Sequence, residues 1–84
     1  MARYRLLWLE IAEQQYFDLD DLTRDMTDRH LTMLELDPHS LAGAVYDAAP
    51  DQWTISLGDR GLLLYAVVAD PPTVIILRLL LVFH

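Results

Sequence analysis

Arginine and histidine are the residue types in this sequence whose positions could support chemistry. Arg78 is a lone cation in the apolar run from Val74 to Phe83. Because an unpaired buried charge is costly, the Arg78 guanidinium must reach solvent, a carboxylate or an anionic ligand. A salt bridge to Asp59, to Asp70 or to an acidic residue of a partner, and the binding of a phosphate group, are equally good interpretations.

The three histidines do not form a recognisable metal site. His30 falls on the apolar side of a predicted helix, where a packing role is expected, and His39 follows a proline in a predicted loop. His84 is the last residue, near Arg78 in principle, and terminal fraying is its simplest interpretation. No pair of these histidines has metal-ligand spacing, and the absence of cysteine removes zinc–thiolate sites and disulfides. The sequence therefore predicts no metal and no other cofactor.

The net charge of the chain argues against general nucleic-acid binding. The charge is −7, with arginine as the basic residue throughout and no lysine. Affinity for DNA or RNA depends mainly on Lys and Arg neutralising phosphates, so an acidic surface repels both. Arg3 and Arg5 face the same way on a predicted strand and could form a local basic face. The simpler interpretation is that they solvate an edge of the sheet.

The length of 84 residues predicts a single domain spanning 1–84, near the lower limit for a core without disulfides. The start of the sequence lacks the apolar stretch and small-residue cleavage site of a secretory signal. The apolar run after Pro72 is too short, and too interrupted by Arg78, to span a bilayer. We expect a soluble, cytoplasmic protein without a membrane partner.

The elements that must position these residues begin with three apolar runs between Trp53 and Phe83. Gly58-Asp59-Arg60-Gly61 separates the first two runs, because glycine supplies the positive φ of a tight turn. Asp70-Pro71-Pro72 separates the last two, because proline cannot donate to a sheet ladder. The pattern predicts a three-stranded antiparallel meander.

The faces of these strands are unusually apolar. The first strand alternates Trp53, Ile55 and Leu57 with polar residues. The second is apolar on both faces, with Leu62, Leu64, Ala66 and Val68 opposite Leu63, Tyr65 and Val67. In the third, alternation places Val74, Ile76, Leu80 and Val82 beside Arg78, and Ile75, Leu77, Leu79, Leu81 and Phe83 on the reverse. Strands that are apolar on both faces must be covered on both, and a chain this short has few elements to do so.

The first half of the chain predicts a strand and two helices. Residues 3–9 alternate as a strand. Residues 9–21 predict a helix with the apolar stripe Leu9, Ala12, Tyr16 and Leu19. Residues 22–36 predict a second helix, ended by Pro38, with the apolar side Leu22, Met26, His30, Met33 and Leu34. Residues 39–51 are expected to form a loop.

The resulting order is β-α-α-β-β-β. It predicts an α+β fold in which a two-helix hairpin packs on one face of a twisted, mainly antiparallel four-stranded sheet. The other face of that sheet is left open.

This order and several local phrases resemble the RelE/ParE superfamily of bacterial toxins from type II toxin–antitoxin systems. The phrases are the opening strand leading into Glu-Ile-Ala-Glu-Gln, the helix end Leu36-Asp37-Pro38, Trp53-Thr-Ile-Ser-Leu-Gly-Asp, Leu-Leu-Leu-Tyr65-Ala-Val and Val74-Ile-Ile-Leu-Arg78-Leu-Leu. The resemblance implies a small toxin neutralised by an antitoxin segment wrapped along it. RelE-like members cleave messenger RNA in the ribosome with basic and acid–base side chains on the open sheet face, whereas ParE-like members inhibit DNA gyrase.

The resemblance implies catalytic roles for Arg78, Tyr65 and Arg60, although the nuclease pattern is incomplete. Leu62 stands where the family usually has an arginine, and leucines follow Arg78 where the family's arginine is commonly followed by His or Tyr. Cleaving RNA needs a base, an acid and cations for the phosphorane charge. From its residue type alone, a strand tyrosine such as Tyr65 is more often a core residue, and Arg60 in a turn is more often solvated.

The favoured hypothesis is a RelE-like toxin bound and neutralised by a cognate antitoxin in a two-plus-two heterotetramer, with weak or absent mRNA-cleaving activity. One alternative is an active ribosome-dependent endoribonuclease acting on mRNA. Another is a ParE-like gyrase inhibitor, favoured by the ending Leu77-Arg78-Leu79-Leu80. A further alternative is an adaptor that uses its sheet edge for β-augmentation.

Overall fold

A computed structural model describes residues 3–82, and its elements follow the predicted α+β order. In chain order they are β1 (Arg5–Trp8), α1 (Glu10–Phe17), α2 (Asp21–Leu36), β2 (Val45–Asp47), β3 (Gln52–Ser56), β4 (Gly61–Val68) and β5 (Thr73–Leu81). The predicted pair of helices on one face of a mainly antiparallel sheet is confirmed, with five strands instead of four. Predictions made for Phe83 and His84 lie outside the described residues.

The sheet has the strand order β1-β5-β4-β3-β2. The predicted meander is the antiparallel series β3, β4 and β5, and β1 joins it by pairing parallel to β5. A parallel pair requires a long connection between its strands, and the connection from β1 to β5 contains both helices and the strands β2 to β4. The longest strands, β4 and β5, are therefore central.

The fifth strand, β2, lies within the segment 39–51 that was expected to be a loop. Its residues pair antiparallel with β3, with Tyr46 opposite Trp53. All three residues of β2 are exposed. A three-residue edge strand without a buried face has no apolar alternation, so its sequence does not reveal it.

The buried side of α2 differs from the predicted apolar side. The structure buries Thr23, Thr27, Leu31 and Leu34, whereas Leu22 and Met33 are 54% and 42% exposed. The predicted stripe is therefore wrong for Leu22 and Met33. The Thr27 hydroxyl donates to the Thr23 carbonyl at 2.8 Å, so this hydroxyl is satisfied within the helix and can be buried. A search for apolar residues at helical spacing therefore does not identify Thr23 and Thr27 as buried positions.

Helix α1 is shorter than predicted and begins at Glu10. Ala12 and Leu19 are buried and Tyr16 is half-buried, as the stripe predicts, but Leu9 is 43% exposed. Within residues 3–82, neither helix combines the length and apolar character needed to cross a membrane.

Strand β5 changes faces at a β-bulge. Leu64 pairs with Arg78 but Tyr65 pairs with Ile76, so Leu77 is an extra residue on β5. Before the bulge Val74 and Ile76 are buried, and after it the buried residue is Leu79, while Leu80 is exposed. The predicted alternation, which placed Leu80 and Val82 with Val74, is therefore wrong beyond the bulge. A strict period of two cannot anticipate an inserted residue.

Candidate functional site

The sheet has a helix face, which holds the core, and an open face, which the helices do not cover. The core on the helix face includes Ile55, Leu63, Tyr65, Val74, Ile76 and Leu79. We define the open face by the strand residues Arg5, Leu7, Val45, Asp47, Gln52, Thr54, Ser56, Leu62, Leu64, Ala66, Val68, Thr73, Ile75, Arg78 and Leu80. The open face is thus apolar at its centre, with two arginines and, on the edge strand β2, one carboxylate.

Cross-strand pairing places Arg78 among apolar neighbours. Its Cα partner on β4 is Leu64, which pairs in turn with Thr54 on β3. In the adjacent row Leu80 pairs with Leu62, and these two side chains are 43% and 38% exposed. Arg78 therefore projects from a surface of exposed leucines and not from a polar cleft.

Arg78 is exposed and has no acidic partner among the described residues. Ion pairs at 3.0–3.9 Å join four other arginines to carboxylates: Arg3 to Glu35, Arg24 to Asp21, Arg29 to Asp25 and Arg60 to Asp20. Arg78 makes no such pair with Asp59 or Asp70, which leaves solvent, a partner's acid or an anion as its counterpart. Arg5, on the same face, also has no ion pair within residues 3–82.

Tyr65 lies on the opposite side of the sheet from Arg78. Its side chain is fully buried, and its ring stacks on Trp53 with centroids 6.3 Å apart and planes 8° apart. The hydroxyl donates to the carbonyl oxygen of Pro38 at 3.2 Å. Burial raises the pKa of Tyr65 to about 12. The geometry matches a core tyrosine with a satisfied hydroxyl.

Arg60 occupies a third place, in the turn between β3 and β4. Its Nη1 atom lies 3.5 Å from the Asp20 carboxylate and 3.2 Å from the Thr23 hydroxyl, beside the start of α2. An open cleft of about 380 Å³ beside it is lined also by Asp18 and Asp59. Carboxylates around Arg60 make this cleft a poor place for a phosphate.

The three predicted catalytic residues are therefore not brought together. Arg78 is on the open face, Tyr65 is in the core, and Arg60 bridges a turn to a helix. A shared reaction centre needs its acid, base and cation within hydrogen-bond reach of the reacting atoms of one bound substrate. Their catalytic roles remain predictions from the family resemblance.

The described histidines also lie away from the open face. His30 Nδ1 is 2.8 Å from the Met26 carbonyl oxygen in the preceding turn of α2. The His39 ring packs edge-on against Tyr4 and Trp53, with centroids 6.1 Å from each. Within residues 3–82 no three His, Asp or Glu side chains converge as metal ligands would. His84 falls outside the described residues.

The acidic residues lie almost entirely outside the sheet, in the helices and connections, and this separation of charge was not anticipated from the sequence. Of the thirteen acidic residues, Asp47 alone lies in a strand, and the others lie in helices and connections. The strands carry Arg5 and Arg78 on the open face. Placing each acid on its predicted element would have revealed this polarity.

Solved structures to which this chain is similar include toxins and toxin–antitoxin complexes. The chain aligns with one from the intact E. coli RelBE toxin–antitoxin complex at a TM-score of 0.81 and 21% identity, covering 96% of this chain and 99% of that one. It aligns with a chain of the archaeal RelE–RelB complex from Pyrococcus horikoshii OT3 at a TM-score of 0.77 and 18% identity, covering 94% of each chain. The alignment with a YoeB/ParE toxin from Agrobacterium tumefaciens has a TM-score of 0.80 and 10% identity, and it covers 94% of this chain and 99% of that one.

The chain therefore has the RelE/ParE toxin fold, and the predicted resemblance is confirmed for the fold. No protein-family model and no curated protein matches the sequence. Identities of 10–21% establish shared architecture, not a shared activity.

Proposed function

We propose that this chain is the toxin-fold component of a type II toxin–antitoxin pair, bound by a cognate antitoxin and with weak or absent mRNA-cleaving activity. The fold likeness spans nearly the whole chain, and two of the similar structures are complexes of RelE-type toxins with RelB-type antitoxins. An assembly of two toxin-fold chains and two antitoxin chains is expected from the family resemblance.

The observation that carries this proposal is the chemistry of the open face. Half-buried Leu64 and the exposed Leu62 and Leu80 lie beside Arg78 there, and Leu62 stands where the family usually has an arginine. Among the described residues, no histidine or tyrosine lies on this face to act as a general base. A surface of this kind suits burial against protein better than contact with an RNA backbone, because apolar area gains free energy only by leaving water.

Co-expression with the adjacent reading frame tests the pairing. We expect the product of that frame to co-purify with this chain as a stable complex of two copies each, measured by light scattering. Without that product the chain should aggregate, because its apolar face remains in water. The proposal would be contradicted if the chain stayed a monodisperse monomer at high concentration and did not bind the product of the adjacent reading frame.

Ribosome-dependent RNA cleavage is the alternative that the fold itself suggests. Induced expression of the chain alone, followed by mapping of transcript ends, separates the two. We expect few or no new ends above those of an empty-vector culture. Abundant cleavage that disappears in Arg78→Ala would favour an active endoribonuclease. The ParE-like alternative predicts inhibited supercoiling by purified gyrase with transcripts left intact.

A further inference from the structure

We propose that α2 carries a separate interaction surface, on which a second copy of this chain packs with its own α2 running antiparallel. The α2 seam, as we define it, consists of Leu22, Met26, Arg29, Met33 and Leu36. It lies in the helix layer, on the other side of the sheet from the open face. Pairing of α2 with α2 does not depend on the proposed antitoxin.

The spacing of the α2 seam is that of a helix-pairing surface. Its residues follow one another at intervals of 4, 3, 4 and 3 positions, the heptad spacing of the apolar positions in a coiled coil. This spacing keeps them on one side of an α-helix over about 21 Å. The buried side of α2 is formed by other residues, Thr23, Thr27, Leu31 and Leu34. The seam is therefore not needed to hold α2 on the sheet.

The apolar residues of the seam remain largely in water. Leu22, Met33 and Leu36 are 54%, 42% and 57% exposed. Met26 is half-buried, with its terminal methyl group against Gly58 in the turn between β3 and β4. An amphipathic helix of a small domain normally has one apolar side, facing the core. A second apolar side gains free energy only by leaving water, so it favours a second packing partner.

One charged residue interrupts the seam and sets the orientation of the second copy. Arg29 lies at the middle of the seam and pairs with Asp25, one turn earlier, at 3.0 Å. In a parallel pair of α2 helices equal residues meet, so Arg29 would face Arg29 and Asp25 would face Asp25. Like charges placed opposite each other across an interface are unfavourable. Reversing the second helix removes both conflicts.

One antiparallel register satisfies the apolar residues and the charges together. When Leu22 lies level with Met33 of the second copy, Met26 lies level with Arg29 of the second copy. Arg29 is then within about 2 Å, measured along the helix axis, of Asp25 of the second copy. Two arginines and two aspartates thus alternate at the centre of the contact. A shift of the second helix by one heptad would separate Arg29 from that aspartate by about 12 Å.

The charge of α2 argues against nucleic acid or a membrane as the occupant. Its charged residues are the acids Asp21, Asp25, Asp28 and Glu35 and the bases Arg24 and Arg29. A helix with more acids than bases repels the phosphates of RNA and the headgroups of anionic lipids. A second copy, in contrast, supplies the carboxylate and the guanidinium that complete the charge pattern.

Disulfide trapping tests the antiparallel pairing. The chain has no cysteine, so Leu22→Cys and Met33→Cys each add a single thiol at an exposed seam position. A disulfide needs the two Cα atoms within about 7 Å, which the proposed register gives for position 22 of one copy and position 33 of the other. We expect a mixture of the two variants to form the mixed disulfide at least about tenfold faster than either variant links to itself.

Gln14→Cys is the matched control, because Gln14 is an exposed residue of α1. Mixed with Met33→Cys, it should link no faster than random collision allows. The rates are measured on the full chain by itself and on its complex with the product of the adjacent reading frame. If that complex does not form, the proposed function fails, and the rates of the free chain still decide the pairing of α2.

Exchange of the central charges tests the register. In the cysteine variants, Arg29→Glu should slow trapping by at least about tenfold, because four carboxylates would then meet. The double substitution Asp25→Arg with Arg29→Glu exchanges the charges and should restore most of the rate. Thermal melts of these variants should agree closely, because both side chains are exposed.

Three results would overturn the proposal. One is self-linking of each cysteine variant that is as fast as mixed linking, which would indicate parallel pairing or random collision. Another is a charge exchange that restores nothing. The third is protection of both thiols by single-stranded RNA or by anionic vesicles without any cross-linking, which would assign the seam to that occupant.

Discussion

Replacing Tyr65 by phenylalanine tests whether this residue is a core residue or a catalytic one. The substitution removes a hydroxyl that donates to the Pro38 carbonyl at 3.2 Å and leaves a fully buried ring in place. The loss of such a buried hydrogen bond costs about 1–2 kcal/mol. For a domain of this size, Tm should fall by about 4–8 °C for each kcal/mol.

The assay is urea unfolding of the Tyr65→Phe variant beside wild type. Tyr46→Phe is the matched control, because the Tyr46 hydroxyl donates to Asp51 at 2.6 Å on the exposed surface. We expect the control to lose less than about 0.5 kcal/mol. Growth arrest, where wild type causes it, should survive in Tyr65→Phe at a permissive temperature.

The pKa of Tyr65 adds a pH dependence with a definite sign. Burial raises this pKa to about 12, above the value of 10.0 for an unperturbed tyrosine. Below pH 10 both folded and unfolded chains keep the proton, so the contribution of the hydroxyl is fully present. Between pH 10 and 12 the unfolded chain ionises first, so the stability that the protonated hydroxyl contributes is lost over this window. The stability difference between wild type and Tyr65→Phe should therefore narrow over this window.

Two results would refute the assignment of Tyr65 to the core. One is a Tyr65→Phe protein as stable as wild type that has lost its effect on growth. The other is a pair of spectroscopic titrations, of folded wild type and of Tyr65→Phe, in which the substitution removes no tyrosine that ionises near pH 12. The comparison with the variant is needed because hydrogen bonds to Asp28 and Asp51 also raise the pKa values of Tyr16 and Tyr46.

Three further substitutions test the fold around the open face. Leu79→Ala should cost about 2–5 kcal/mol because Leu79 is buried, whereas Leu80→Ala should cost less than about 1 kcal/mol; equal losses in urea unfolding would contradict the bulge. Gly61→Ala should lower the free energy of unfolding by more than about 3 kcal/mol, because the Gly61 φ is +155° and the new Cβ would lie 2.3 Å from the Leu80 carbonyl oxygen. A soluble Gly61→Ala variant with the Tm of wild type would disprove this contact. Gln15→Ala should cost about 1–3 kcal/mol, because Gln15 Oε1 accepts from the Leu79 N–H at 2.9 Å; Gln14→Ala, on the exposed side of α1, should be near neutral.

The sequence predicted the parts of the fold that rest on turn residues and regular periods. Gly58 to Gly61 and Asp70 to Pro72 end strands where the structure ends them. The alternation of Ile55 with Ser56 gives the correct buried face of β3. These signals are local, so they survive without knowledge of what each element packs against.

Long-range packing decided the remainder. The inserted Leu77 reverses which face of the sheet each later residue of β5 occupies. The insertion depends on the pairing of β5 with β4, and no residue type near Leu77 indicates a bulge. Two threonines replace Leu22 and Met33 on the buried side of α2 because one of them bonds its own helix. The edge strand around Tyr46 forms only because β3 is beside it.

For the candidate site, the sequence identified Arg78 as an unusual charge but could not say which side chains share its face. Tyr65 is one residue beyond the Cα partner of Arg78, yet its side chain projects into the core. Face assignment depends on the bulge, so the separation of these two residues could not be predicted from spacing.

The central claim is that the antitoxin covers the open face, and thiol labelling in the complex measures this coverage directly. The chain has no cysteine, so Leu80→Cys and Met33→Cys each introduce a single reporter. The replaced side chains are almost equally exposed, at 43% on the open face and 42% on α2. The account predicts that adding the product of the adjacent reading frame slows labelling at position 80 by at least about tenfold, with little change at position 33. Protection at position 33 with free labelling at position 80 would contradict it.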